Sequence, residues 1–169
     1  GELLGLPWEQ VDLDSGALTV LHQLQRVDGS WRLVPPKSRQ SRRSLPLTPL
    51  ARTALLRQRA QQEAWRAAPD WRGNPWGLVF TTRLGTPLDA RNVNRAFAQL
   101  VEQAGVPRVR FHDLRHTAAS LALEAGADLK TVSALLGHSQ ISVTADYYAR
   151  VSRRLAEDAA TRLERLLSG

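Results

Sequence analysis

The sequence predicts an α+β fold, mainly α-helical with a small antiparallel β-sheet. Three observations carry this: short strand-like runs broken by turn residues fill the stretch before Thr48, apolar spacing turns helical from there on, and the helical runs begin and end at capping residues. With 169 residues, 43% of them hydrophobic, the chain can build one domain with a sizeable core.

Gly1-Glu2-Leu3-Leu4-Gly5-Leu6 reads as the later part of a helix stopped by Pro7. Ala17 to Leu24 has strand character, and Asp28-Gly29 is a hairpin turn leading into Trp31-Arg32-Leu33-Val34. Pro35-Pro36 interrupts, and Arg43-Ser44-Leu45-Pro46-Leu47 is a third short strand of the same small sheet. Thr48 caps a helix with Pro49 at its first position, and Leu50, Ala54, Leu55, Gln58 and Gln62 continue it until before Pro69. Asp70 to Gly77 is a loop and Leu78-Val79-Phe80 a short strand. Asp89 opens a helix with Val93, Phe97, Leu100 and Val101 on one face, stopped at Gly105. Helices follow from about His112 to Ala125, from the Asp128 cap to Gly137, and over roughly Ile141 to Tyr148. The last starts at Ser152 and carries Leu155, Ala159, Leu163 and Leu166 on one face.

Composition narrows the function. No apolar stretch reaches the roughly 20 residues of a membrane helix, and no signal pattern opens the chain, so the expectation is a soluble, intracellular, cytoplasmic protein. The absence of cysteine excludes disulfides and thiolate metal sites. A net charge of +7 with a pI near 11.1 directs attention to a polyanion. The charge is concentrated: Arg26, Arg32, Lys37, Arg39, Arg42 and Arg43 face the single acid Asp28. The chain has no methionine and opens mid-helix, which leads us to expect a fragment, truncated at its amino terminus.

The densest polar cluster is Phe111-His112-Asp113-Leu114-Arg115-His116-Thr117. His112 and Arg115, three apart, share one side of a helix near its amino-terminal turn, where free N–H groups favour an anion such as phosphate. Further on, Leu136-Gly137-His138-Ser139 is followed, ten residues after His138, by Tyr148. A core histidine beside a surface arginine is the plainer alternative for the first cluster alone.

These motifs together resemble the tyrosine recombinase, or phage integrase, family, as do Gly1-Glu2-Leu3-Leu4-Gly5-Leu6-Pro7-Trp8, Pro36-Lys37-Ser38 and Ser41-Arg42-Arg43. The match runs along nearly the whole chain in the family's order. The resemblance implies the family's catalytic-domain fold, with Arg115 clamping the scissile phosphate, His112 and His138 hydrogen-bonding it or moving protons, and Tyr148 as nucleophile. It also implies an enzyme without cofactor or metal, acting on double-stranded DNA as a homo-tetramer through a 3′-phosphotyrosine, with the isolated fragment expected to be monomeric. An upstream DNA-clamping domain is expected to be missing. Arg39, Arg42 and Arg43 are the expected DNA contacts.

Chemistry agrees with those roles. A tyrosine hydroxyl, with a reference pKa of about 10, needs a base or an electropositive site to attack at neutral pH. Preplaced cations stabilise charge gathering on the phosphoryl oxygens. Of the 23 basic residues only Lys37 and Lys130 are lysines, so Lys37 stands out where arginine is the default. Lysine, unlike arginine, can release a proton to a departing 5′-oxygen, the general-acid role that the resemblance gives to this position. Tyr147 is the rival nucleophile, but adjacent helical residues point about 100° apart and the spacing from His138 selects Tyr148.

Departures from the family pattern also count. Its first catalytic arginine would lie two residues before Gly1, so the isolated fragment is expected to be weak or inactive, and Arg150 stands where relatives often carry histidine. Two other readings stay open: a DNA-binding module without catalysis, and a metal-dependent phosphohydrolase built on His112, Asp113 and His116. The helix over residues 152–167 either folds onto its own core or docks on a neighbouring protomer.

Overall fold

The computed structural model describes residues 1–36, 38, 41–137, 160, 161 and 163–167. They fall into two compact units, Gly1–Arg108 and Val109–Gly169.

In the first unit, the opening residues form a hydrogen-bonded turn in place of the expected helix end, with Gly5 N–H donating to the Gly1 carbonyl at 2.9 Å. A single 3-10 turn, Trp8–Gln10, leads into β1 (Val11–Asp12), β2 (Ala17–Val20), β3 (Gln23–Val27), β4 (Ser30–Val34) and β5 (Arg43–Pro46). The expected single strand over Ala17–Leu24 is two strands in two sheets. The side chain of Gln10 causes the break: its Oε1 accepts from Leu21 N–H at 3.2 Å, and its Nε2 lies 2.5 Å from His22 Nδ1. The N–H that would extend β2 is thereby taken.

β1, β2 and β5 form one antiparallel sheet in the order β1-β2-β5, and β3 and β4 form a second, two-stranded one. The expected third strand therefore joins β2, with Leu18 opposite Leu45 and Val20 opposite Arg43, and not the hairpin. Pro46 is tolerated because β5 is an edge. The hairpin turn is the one its residues demand: Asp28 (φ 49°) and Gly29 (φ 77°) both take the left-handed conformation between Val27 and Ser30.

Helix α1 (Pro49–Arg66) is capped by Thr48, whose hydroxyl accepts from Ala51 N–H at 3.2 Å. Of the residues whose spacing predicts the helix, Leu55, Gln58 and Gln62 form its inward stripe, with Ala51 and Trp65 half-buried, whereas Leu50 is 81% exposed and Ala54 exposed. Leu78 makes an antiparallel bridge to Pro7, and no strand forms over Leu78–Phe80. Proline has no N–H to extend the ladder, and Trp8 already enters the 3-10 turn. Helix α2 (Ala90–Gln103) begins at the Asp89 cap. Val101 is buried and Val93 and Phe97 half-buried, whereas Leu100, one residue off that stripe, is 61% exposed.

Two small cores organise this unit. Leu4, Leu24 and Leu78 pack with Trp31, Leu33 and Val93; Leu6, Leu55 and Val79 pack with Trp8, Leu18 and Leu47. Residues 4–6 and 78–79 feed both cores, held together by Val79 N–H donating to the Leu6 carbonyl at 2.8 Å.

In the second unit, α3 (Asp113–Glu124) and α4 (Leu129–Leu136) pack through Ala119, Leu123, Val132 and Leu136. Asp128 caps α4 by accepting from Thr131 N–H at 2.9 Å, and Gly137 ends it in the left-handed conformation (φ 68°). The expected helical segment over Ile141–Tyr148 and the Ser152 cap lie outside the described residues. Those described between 160 and 167 are helical, with Leu163, Leu166 and Leu167 58%, 82% and 81% exposed.

Candidate active site

The polar cluster of the second unit is built by the start of α3. Arg110 and Asp113 close the turn before the helix: Arg110 N–H donates to Asp113 Oδ2 at 2.8 Å, and the guanidinium donates to both carboxylate oxygens at 2.8–3.2 Å. These donors hold the Asp113 carboxyl down at about 2. The i,i+3 spacing of Arg110 and Asp113 is legible in the sequence. The Asp113 carboxylate is engaged by arginine here, and among the described residues no group of three or more histidine, aspartate or glutamate side chains is placed to hold a metal.

This turn sets His112 as the residue before α3 and Arg115 in its first turn. The His112 and His116 rings meet edge to face with centroids 5.9 Å apart, and His112 is exposed. Arg115 is half-buried, and its Nη2 donates to the Leu136 carbonyl at the end of α4. That bond neutralises one of the carbonyls a helix end leaves without an intrahelical donor. It also ties Arg115 to the turn that leads into His138. His138 and Tyr148 lie outside the described residues.

In the first unit, Lys37 and Arg39 also lie outside the described residues. Arg42 is exposed, as are Arg26 and Arg32 on the hairpin. Arg26 stacks on Trp31 at 5.8 Å and donates from Nε to the Gly29 carbonyl at 3.0 Å, which fixes a cation near the hairpin tip.

Arg43 is placed differently from Arg42. Its side chain is only 12% exposed, and its guanidinium grips Glu2 with two bonds, Nη2 to Oε2 at 2.9 Å and Nη1 to Oε1 at 3.2 Å. Nη1 also donates to the Ser41 carbonyl at 2.9 Å. Expected as a DNA contact, Arg43 is committed to its own protein. Glu2, 41 residues away in sequence, entered the sequence reading only as part of a motif; no local pattern could pair the two.

The second interaction hub that sequence reasoning passed over is Gln62, which is 9% exposed. It accepts from Trp8 Nε1 at 2.8 Å and donates to the Leu78 carbonyl and to Thr81 Oγ1, each at 3.0 Å. A glutamine on the buried stripe of an amphipathic helix was the available signal.

The model of the phage integrase family matches residues 1–154. The chain belongs to the phage integrase family. It is 35% identical to a tyrosine recombinase XerC-like protein of Caldanaerobacter subterraneus subsp. tengcongensis, over 98% of this chain and 46% of that protein. It is 34% identical to an integrase of Streptomyces ambofaciens, over 94% and 42% respectively. Its fold is similar to that of the Tn1549 transposon integrase solved in complex with circular intermediate DNA (TM-score 0.78, 25% identity, 96% of this chain and 54% of that one). The XerA recombinase shares the fold as well (TM-score 0.67, 22% identity, 87% and 46%). The chain thus spans about half the length of the relatives it matches. Among the described residues no helix is long and apolar enough to cross a membrane.

Proposed function

We propose that this chain is the catalytic domain of a site-specific recombinase or integrase that cleaves and rejoins DNA strands through a 3′-phosphotyrosine. The observation that carries this reading is the family match over residues 1–154, a stretch that contains the candidate residues His112, Arg115, His138 and Tyr148. The arrangement of Arg115 supports it: a guanidinium held at the start of α3 by the Leu136 carbonyl keeps donors in a fixed direction.

In the proposed reaction Tyr148 Oη attacks phosphorus while Arg115 binds the non-bridging oxygens and His112 and His138 hydrogen-bond the phosphoryl group or take up the phenolic proton. The bond from phosphorus to the 5′-oxygen breaks, and Lys37 gives that oxygen its proton. The new phosphotyrosine bond retains the phosphodiester's energy, so a second 5′-hydroxyl can reverse the step without ATP. No metal ion or cofactor enters this scheme. The exposed Arg42, with Arg39, contacts backbone phosphates, which position DNA without reading its sequence. Four protomers join two duplexes at the nucleoid, and the exposed leucines of residues 163–167 support docking of the last helix on a neighbouring protomer.

The test is a nicked suicide substrate offered to the full open reading frame that contains this chain. A covalent protein–DNA adduct is expected, retained in Tyr147→Phe and lost in Tyr148→Phe. An adduct that persists in Tyr148→Phe refutes the nucleophile. Retarded DNA mobility with no adduct in the unsubstituted protein would favour a binding module.

A further inference from the structure

We propose that a cavity beside the carboxyl-terminal half of α1 is a docking site for a segment of another protein in which an acidic residue stands next to a bulky apolar one. The cavity, of about 420 Å³, is lined by the indoles of Trp8 and Trp71 and by three charged residues of α1, Arg59, Glu63 and Arg66. Two of those charges offset each other: Arg59 Nε lies 3.7 Å from Glu63 Oε1, and the guanidinium stacks on Trp8 at 5.8 Å. Arg66 is exposed in the last turn of α1, and its guanidinium makes no hydrogen bond or ion pair among the described residues. One positive charge is therefore left for a ligand. Trp71 Nε1 has no partner among the described residues either, and no buried side-chain nitrogen there lacks one, so this N–H is open to solvent. The following loop holds the indole in place. Arg72 N–H donates to the Leu84 carbonyl at 2.8 Å, and a Cβ on Gly85 would fall 2.7 Å from Trp71 Cζ2. A donor fixed in advance loses little freedom on binding.

The chemistry of the lining selects the class of ligand. Gln62 and Asn74 also border the cavity, but their amides are engaged by Trp8 Nε1, Thr81 Oγ1 and the main chain of Leu78. What remains is indole surface beside two free donors, the Arg66 guanidinium and Trp71 Nε1. Such a combination takes a carboxylate with an apolar side chain next to it. Tryptophan and arginine are also the residues that contribute most to protein–protein contacts. A nucleic-acid strand suits the cavity less well, because its base edges would meet amides already bonded and its phosphates would face the Glu63 carboxylate. None of the residues assigned to strand cleavage takes part, so this inference and that assignment stand or fall separately.

The probe is a library of random heptapeptides displayed on phage and selected on the full open reading frame that contains this chain. Enriched peptides should place aspartate or glutamate beside phenylalanine, tryptophan or leucine. Synthesised with a fluorescent label and followed by anisotropy, they should bind Arg66→Glu at least about 10-fold more weakly than the parent. Trp71→Phe keeps a ring and removes the N–H, and should weaken them about threefold to tenfold. Arg57→Glu makes the same charge change at an exposed position nine residues away, on the opposite side of α1, and should stay within about twofold of the parent. Urea unfolding checks that each variant is folded. Failure to enrich, enrichment of peptides without an acidic residue, or affinities that Arg66→Glu lowers no more than Arg57→Glu does would overturn the site. Two further results overturn the choice of occupant. A labelled thymidine decanucleotide whose binding falls in Arg66→Glu and not in Arg57→Glu assigns the cavity to nucleic acid, and self-association of the parent that Arg66→Glu abolishes assigns it to a second copy of this chain.

Discussion

Replacing Gly5 by alanine tests the packing of the first unit with a single methyl group. Gly5 is not among the glycines of positive φ; close approach is what requires it. A Cβ there would lie 2.4 Å from Leu24 N, 2.6 Å from Gln23 C and 2.8 Å from Gln23 Cα. All three are main-chain atoms at the start of β3, so no side chain can swing aside. Restoring an ordinary contact of about 3.5 Å requires the opening turn and β3 to part by about 1 Å. Parting them breaks the bond from Leu24 N–H to the Gly1 carbonyl, now 3.1 Å, and draws Leu4 and Leu24 away from Leu78. Overpacking costs about 1–3 kcal/mol and the lost hydrogen bond about 0.5–1.5, so Gly5→Ala should lower stability by about 2–4 kcal/mol. Gly105→Ala is the comparison, since its φ is +64° and nothing lies within 4 Å of the added methyl. Only the left-handed backbone then resists, at about 1–2 kcal/mol. Urea unfolding followed by tryptophan emission is the assay, and all five tryptophans lie in the first unit. A Gly5→Ala loss below about 0.5 kcal/mol would refute the close approach that these distances describe.

Two further outcomes follow from side-chain hydrogen bonds. Gln62→Leu removes the partner of Trp8 Nε1 and of Thr81 Oγ1 and one of the two side-chain donors to the Leu78 carbonyl, which keeps Asn74 Nδ2 at 2.9 Å, and should cost about 2–4 kcal/mol with a change in Trp8 emission. A loss under about 1 kcal/mol in the same urea titration would show that water replaces the glutamine. Asp113 has its pKa lowered from 3.8 to about 2, so its bonds to Arg110 stabilise the folded state above pH 4 and are lost as the pH falls from there through 2. Asp113→Asn should therefore be less stable than the parent at neutral pH and flatten the acid dependence in that window. Helical circular dichroism is the probe, because the second unit has no tryptophan; superimposable acid curves for the two proteins would discount the Arg110 contact.

The elements most legible in the sequence are those whose cause is local. Asp28-Gly29 makes its turn by backbone preference, and Thr48, Asp89 and Asp128 each accept an N–H two or three residues ahead. Strand partnership was less legible. Nothing near Leu21 announces that the side chain of Gln10 will take its N–H and divide one apolar run between two sheets. The inward stripe of α1 was open for a similar reason: helical periodicity gives the spacing of residues, but which of them turn inward depends on Val79 and Leu78 arriving from outside the helix.

For the candidate site the same division holds. His112 and Arg115 could be put on one helical turn, and Lys37 singled out against an arginine background, because spacing and residue choice are properties of the chain. The motifs they form were enough to identify the family. Arg43 needed the tertiary structure. Read locally it is one more cation in a basic run, and only folding brings Glu2 across 41 residues to accept from both of its terminal nitrogens. Sequence alone determined which chemistry-bearing groups this protein owns and which backbone turns present them. The folded structure decided which of its charges are turned inward, because ion-pair partners are chosen by proximity in space and by loss of water, and neither is written in neighbouring residues.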